Sequence, residues 1–521
     1  MEAKFLAKIG KEEILIFILG AILLFGNIGG HSIYILDEAR NATCAKEMWQ
    51  NNQWVIPTYN GELRTDKPIL HYYFMKLGYA MFGIGEIGAR FFSIIFGSLT
   101  LTLGYNRVKK YSGIKTAKWS VFALICSLGF PVQFHLSVPD PYLIFFTSLS
   151  LYSLFEILEG NSNFKYILVF YLSCALGILT KGPIALAIPV LVGFIYCILA
   201  QKNIIRSILA LKPWIGAIII LSISGPWYYL VHQKTEGMWT EGFFLEHNLE
   251  RFSKTKEGHG GSIFLAPIMA LISLFPFGLL APKAVYCAFK SNDNFVKFNL
   301  SVTLVVIGIF MLSKTVLPSY TSPIFLFIAL LIAKEVEKNP KYPQIIFAIF
   351  ALIIGVGFAF SKHFLPEPYN GFGLEILATP LLVGSALCMY NWENRGQIRT
   401  YLSMGISFLI FCQLMFYILF PRIDKETAVI KSSQYLDKKT EKIYFHRMNS
   451  SFAFYSEKPI KGYEELDKIQ AKIDQSNTLY IISRKDFEEQ YKKLKNVELV
   501  GEFPDLLENF TTVILKKRQN L

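Results

Sequence analysis

Residues 14–36, ILIFILGAILLFGNIGGHSIYIL, hold no Asp, Glu, Lys or Arg and are followed at once by DEARNA at 37–42. About 20 predominantly apolar residues suffice for a helix to cross the hydrocarbon core of a membrane. The run is longer than the apolar region of a signal peptide and has no small-x-small exit before Asp37, so it reads as an uncleaved anchor. Twelve further charge-poor runs follow, near 87–106, 118–135, 139–158, 166–180, 183–200, 213–231, 263–282, 298–313, 317–333, 343–361, 374–390 and 400–420. The expectation is an α-helical polytopic membrane protein of about 13 transmembrane helices.

Composition agrees. Of 521 residues, 53% are hydrophobic, 15% aromatic and only 17% charged, against roughly 25% charged in a soluble domain. These values exclude an ordinary soluble enzyme and a disordered chain. The net charge of +13 is scattered between apolar runs, as basic loops at a membrane surface are, and no nucleic-acid partner is expected. Six of the seven cysteines lie inside apolar runs and only Cys44 sits in a polar segment, so neither a disulfide framework nor a C-x-x-C metal motif is present.

The distribution of Lys and Arg sets the orientation. Residues 1–13, 107–118, 159–165, 201–212, 283–297, 334–341 and 391–399 are densely basic. The alternate segments are sparse, 36–85 holding Arg40, Lys46, Arg64, Lys67 and Lys76, and 231–262 holding Lys234, Arg251, Lys254 and Lys256. The N-terminus is therefore expected inside, and an odd number of spans puts everything after Pro421 outside. We expect a transmembrane domain over 1–420, with outer loops 36–85 and 231–262, and a periplasmic α/β domain over 421–521. That tail alternates β-like runs, KIYFHRM, TLYIIS and TTVILKK, with the helix-like DFEEQYKKLK.

With this topology polar chemistry collects on one face. Asp37 and Glu38 stand at membrane depth, where a carboxylate is costly unless paired or functional; as an N-cap, Asp37 would instead open an amphipathic interfacial helix. Lys67 of TDKPIL can hold a phosphate or snorkel to head groups. Asp140 lies in VPDPY, between two prolines that also suit a rigid turn. Lys181 of LTKGP and Lys314 of LSKTVLPSY are isolated at span ends, a position that also complements a helix dipole. The second outer loop adds His247, Arg251 and His259 among Trp239, Phe243, Phe244 and Phe252, and reads equally well as an amphipathic surface helix.

The motifs DEARNA, NGELRTDKPIL, GIGEIGARFFS, LTKGPIAL, FFLEHNLERF and KTVLPSYTSPIF occur in the order found in integral membrane glycosyltransferases of the GT-C class. Over about residues 10–420 the chain most resembles the branch containing the aminoarabinose transferase of lipid A and the protein O-mannosyltransferases. The resemblance implies thirteen spans, two amphipathic helices in the first outer loop and a periplasmic α/β domain. It also implies Asp37 as catalytic base or acceptor-orienting acid, Lys67 as the donor phosphate ligand, and Asp140 and Tyr320 in the same cavity. Asp66 stands where many relatives have Glu, and with His247 it matches a pair that binds a divalent metal in some of them. Val316 stands where lysine is common, with Lys314 two residues away as its substitute.

The function expected is transfer of a sugar from a polyprenyl-phosphate donor to an envelope lipid or glycan acceptor, lipid A included, by a single inverting displacement at the outer face of the inner membrane. The catalytic set is Asp37, Asp140 and Glu38; Lys67, Arg251, Lys181, Lys314 and Tyr320 attend the donor phosphate; membrane lipids surround the protein. No cofactor is required beyond a possible divalent metal. A P-loop of the G-x-x-x-x-G-K-[ST] type is absent, in keeping with a donor that is not a nucleotide. Protein O-glycosylation uses the same donor class. A lipid-sugar flippase would instead place its charges near the midplane of repeated halves, and a non-catalytic scaffold would tolerate replacement of Asp37 and Lys67.

Overall fold

Hydropathy locates apolar stretches, and the backbone decides which of them are continuous helices. A computed structural model describes residues 10–249, 262–314, 316–338, 340–394, 397–437, 440–505 and 510–518. Eight described helices are long and apolar enough to span a membrane: 86–112, 140–158, 164–181, 294–312, 318–337, 342–359, 374–391 and 398–424. Each coincides with an expected run, and the chain is an integral membrane protein. The other five runs are shorter or broken. The first gives α1 (Lys11–Phe25) and then turns; α2 (Leu36–Gln50) and α3 (Leu70–Phe82) lie in the first loop, followed by α4 (Glu86–Ser112). Run 118–135 divides into α5 (Ile114–Ile125) and α6 (Gly129–Phe134). After α7 (Asp140–Leu158) and α8 (Phe164–Lys181), run 183–200 forms the 16-residue α9 (Ile184–Leu199). Run 213–231 breaks at Ser224 into Pro213–Ile223 and Gly225–Lys234, and run 263–282 breaks near Pro276.

Such breaks free backbone groups that hydrocarbon cannot satisfy. Two of the breaks answer each other: Leu128 N donates to Phe275 O at 3.1 Å. Gly129 permits the approach, since a Cβ there would lie 2.6 Å from Ser273 Cβ.

The tail builds a five-stranded sheet from β3 (Lys442–Phe445), β4 (Lys461–Tyr463), β5 (Tyr480–Arg484), β6 (Val497–Pro504) and β7 (Thr511–Lys517), in the order β4-β3-β5-β7-β6. A two-stranded hairpin, β1 (Thr58–Tyr59) with β2 (Glu62–Leu63), sits in the first loop. In the tail, β3 runs parallel to β4 and β5, and β7 is antiparallel to β5 and β6. The three β-like runs fall on β3, β5 and β7. The short β4 and the half-exposed β6 escape period-two reading, and DFEEQYKKLK forms only a 3-10 turn and a four-residue helix. Ile443, Phe445, Ile481, Val513 and Leu515 pack with Ile469 and Ile473 of helix Leu466–Gln475.

The first loop is held between this sheet and the spans. Nearly every face of α2 is buried, so it is an internal strut and not the amphipathic surface helix its sequence suggests. Lys46, 5% exposed, donates to the carbonyls of Ala453, Phe454 and Ser456 at 2.9, 2.8 and 2.6 Å. These lie at the C-terminus of helix Ser451–Tyr455, where a cation complements the unpaired carbonyls. Asn60 exchanges two 2.6 Å bonds with the backbone of Ile460. Tyr455 accepts from Ile33 N at 2.8 Å and donates to Glu86 at 2.6 Å.

Candidate functional site

Asp37 does not cap α2. The N-cap is Ile35, with no side-chain bond, and Asp37 and Glu38 fall in the first turn. The two acids then diverge. Glu38, 1% exposed, takes Arg90 in a bidentate pair of two 2.8 Å bonds and accepts from Ser137 N at 2.9 Å. Arg90 spends its remaining donors on the carbonyls of Ile28, His31 and Ser32. Glu38 is thus a structural clamp, and its expected place among catalytic residues is corrected: both oxygens are consumed. Asp37 is half-buried and its carboxylate accepts no hydrogen bond among the described residues. It lies close enough to Lys181 to interact with that ammonium electrostatically.

Lys181 ends α8, and Gly182 (φ +84°) turns the chain away. The ammonium donates to Asp140 Oδ1 at 2.7 Å and lies over the Tyr320 ring, 5.1 Å from its centroid. Asp140 opens α7 and is 7% exposed. Facing these residues is the irregular segment 64–67. Arg64, 5% exposed, reaches Asp66 at 3.1 Å, Tyr72 OH at 3.2 Å and Asn41 at 3.4 Å. Asp66 also accepts from His247 Nε2 at 2.7 Å. Burial alone would raise the Asp66 carboxyl, but the His247 bond and the charges of Arg64 and Lys67 outweigh it and hold the group well below the usual carboxylate range.

His247 arrives on a π-helical turn, Gly242–Leu249. Such wide turns are rare and cluster at functional sites. The turn is anchored by Trp239, which donates to Arg64 O at 2.9 Å and stacks on Phe243. Trp239 and Phe243 are buried, so this part of the loop is packed inward and is not a surface helix. Gly242 permits contact with the first loop, since a Cβ there would stand 2.8 Å from Thr65 Oγ1.

Asp66, Lys67, Asp140, Lys181, His247 and Tyr320 all line one cavity of about 820 Å³, open mouth included, with Phe243, Phe310 and Ser313 on its wall. Asp37 is not on its wall. Lys314 is exposed and lies outside it, the chain having left helical phase after Leu312. Arg251, His259 and Phe252 lie outside the described residues. Arg64 belongs to the quoted NGELRTDKPIL motif but was not singled out there; its ion pair with Asp66, two residues on, shows only in the folded chain.

The Asp66–His247 pair brings together two side chains of metal-ligand type, one from each outer loop. Among the described residues no third His, Cys, Asp or Glu joins it, and the guanidinium of Arg64 already occupies the cationic side of the Asp66 carboxylate. The arrangement is a hydrogen-bonded ion-pair network.

Residues 66–229 match the profile of the dolichyl-phosphate-mannose-protein mannosyltransferase family. An uncharacterised protein of Aquifex aeolicus is 28% identical over 372 residues, covering 68% of this chain and 72% of that one. The undecaprenyl phosphate-alpha-4-amino-4-deoxy-L-arabinose arabinosyl transferase 1 of Pseudomonas fluorescens is 29% identical over 58% of this chain. That match spans only 55% of the transferase's own length. In structure, ArnT from Cupriavidus metallidurans bound to undecaprenyl phosphate superposes with a TM-score of 0.83 at 17% identity, over 96% of this chain and 97% of that one. The archaeal oligosaccharyltransferase AglB from Archaeoglobus fulgidus, in complex with an inhibitory peptide and a dolichol-phosphate, gives 0.54 at 10% identity over 92% and 70%. The fold is that of ArnT.

Proposed function

We propose that this chain, a membrane glycosyltransferase of the GT-C class, transfers a sugar from a polyprenyl-phosphate donor to a lipid or glycan acceptor of the cell envelope, lipid A among them. The observation that carries the reading is the single cavity where two lysines, Lys67 and Lys181, meet Asp140, Tyr320 and the Asp66–His247 pair at the ends of spanning helices. Breaking the bond between sugar C1 and the phosphate oxygen leaves a polyprenyl phosphate, on which negative charge grows in the transition state. Fixed ammonium groups in a poorly hydrated cavity favour that charge without having to reorganise.

Lys67 and Lys181 take this role, with Asp140 as the positioning residue that holds Lys181 in place. Arg64 and His247 in turn hold Asp66 and so fix the segment that carries Lys67. Asp37, beside the cavity and not on its wall, has a carboxylate that accepts no hydrogen bond among the described residues, and it accepts the proton of the attacking hydroxyl or aligns it. The hydroxyl oxygen bonds to C1 as the phosphate leaves from the other face, and the anomeric centre inverts. The reaction so written consumes no cofactor. The sparse basicity of segments 36–85 and 231–262 supports an active face on the periplasmic side, together with the tail.

The test is incubation of the purified protein with a panel of radiolabelled undecaprenyl-phosphate sugars and envelope lipids. Transfer to a lipid by the parent, lost in Asp37→Asn and Lys67→Ala, supports the reading; absence of transfer from every polyprenyl donor counts against it. The mannosyltransferase profile over 66–229 favours a second acceptor class, protein Ser or Thr, and a secreted polypeptide included in the panel separates the two.

A further inference from the structure

From Asn161 to Thr235 the chain contains no Asp or Glu. Inside this stretch lies QKNIIRSILALK, residues 201–212, with three cations. Lys202 is matched, with Glu159 at 2.8 Å and Leu158 O at 3.0 Å. Arg206 and Lys212 are exposed and pair with no carboxylate among the described residues.

Helix Ile204–Leu211 buries none of its residues and meets Pro213–Ile223 at a bend of 43°. Its Ile205 and Leu209, 71% and 57% exposed, are apolar. Together with Pro213–Ile223 it is apolar enough for one bent span, and its own exposed, basic-ended segment suits the membrane interface. Ile204, Ser207, Ile208 and Leu211, one face at helical spacing, border a second cavity of about 1180 Å³ counted with its open side, walled on the other sides by α7, α8, α9 and Pro213–Ile223. Apart from Ser207 and the Tyr171 hydroxyl, its lining side chains are apolar.

This cavity is remote from the polar one. Along α7, Asp140 and Leu154 are separated by roughly 20 Å at 1.5 Å per residue, and Leu154 and Leu158 line the apolar cavity while Asp140 lines the other. It therefore lies toward the opposite membrane surface, where the basic loops gather.

We infer that this cavity holds an acyl chain of an anionic phospholipid from the leaflet on the basic-loop side, with the lipid phosphate held by Arg206 and Lys212. Apolar volume, an interfacial helix forming one wall, and two cations without acids at its ends are the complementary parts of such a molecule.

The full chain released from nanodiscs of equal phosphatidylglycerol and phosphatidylcholine, and weighed by native mass spectrometry, tests this. The parent is expected to retain phosphatidylglycerol preferentially. The variant Arg206→Gln/Lys212→Gln, altered only at exposed positions, should retain about thirtyfold less of it with phosphatidylcholine unchanged, since each basic group at an anionic surface contributes about fivefold. Ala217→Trp, which narrows the cavity, should lower retention of both lipids. Equal retention of the two lipids by the parent, or undiminished phosphatidylglycerol in the double variant, overturns the proposal. In nanodiscs doped with undecaprenyl phosphate, loss of that lipid instead of phosphatidylglycerol from Ala217→Trp also overturns it, by assigning the cavity to the donor's tail.

Discussion

Lys181 of α8 and Asp140 of α7 form a 2.7 Å ion pair whose ammonium sits over the ring of Tyr320. The pair joins two spanning helices on the wall of the polar cavity, so it is both structural and, in the mechanism proposed, catalytic. The two roles separate experimentally. Removing one partner of a largely buried pair leaves the other charge uncompensated, at a cost of about 3–5 kcal/mol. Lys181→Met and Asp140→Asn are each expected to lower thermal stability, and the double variant to recover much of it. Transfer should stay depressed in the double variant by about a hundredfold or more, because the cation that faces the phosphate is gone. Recovery of transfer together with stability would make the pair purely structural.

Adjacent acids give a second contrast. Asp37 carries no hydrogen bond on its carboxylate among the described residues, whereas Glu38 is locked to Arg90 and Ser137. Asp37→Asn should fold like the parent and lose about a hundredfold or more in kcat, the scale of a general base. Glu38→Gln should show the reverse, a clear loss of stability from a buried arginine left half-paired, with residual protein still active. Thermal midpoints measured beside single-turnover transfer rates decide both.

The reason that sequence reading could not tell these neighbours apart is physical. Lys67 and His247 were visible as polar groups of the outer loops, and the role of Asp66 and the place of Tyr320 followed from the resemblance. Asp140 and Lys181 were visible as isolated ionisable groups beside apolar runs, where such groups are rare without purpose. Glu38 had the same signature, and only its partner 52 residues away shows that the purpose is structural. Lys314 was placed at the end of the 298–313 run as a substitute for the position of Val316, but the chain turns extended at Ser313 and leaves its side chain exposed. The spans show the same division. Continuous helices follow from hydropathy, but a break such as that at 126–128 depends on Gly129 meeting Ser273, a contact no local pattern encodes. The burial of α2 likewise follows from α3, Trp227, Trp239 and the tail packing around it, not from its own mixed sequence.

Lys46 yields a prediction in pH. Burial brings its ammonium from an ordinary 10.5 down to about 8, against a smaller opposing pull from Glu47. The folded state therefore releases this proton at a lower pH than the unfolded chain, so the cost of burying the charge is full below about pH 8. Between about pH 8 and 10.5 the unfolded chain binds more protons at this site, and stability from it rises with pH. In Lys46→Met that dependence is absent. The thermal midpoint of the parent should gain on that of the variant between pH 7.5 and 9.0; a gap that stays constant or narrows would contradict the assignment.

Gly182 supplies the last test, because it couples the end of α8 to the π-helical turn. Its φ of +84° is one that L side chains rarely adopt, and a Cβ would lie 2.5 Å from Phe243 Cζ. Phe243 stacks on Trp239, which bonds Arg64 O, and His247, farther along the same turn, holds Asp66. A methyl at 182 must therefore move Lys181, which precedes it, or the turn that carries His247. Gly182→Ala should cost about 1–3 kcal/mol in stability, the scale of backbone strain, and should reduce transfer more than that loss explains. Combining it with Phe243→Ala removes the clash but not the unfavourable φ. Partial recovery of transfer in the double variant is the expected result. If Phe243→Ala gives no relief, the effect of the methyl lies in the backbone at Gly182 alone, and the packing of the turn against α8 does not position the site.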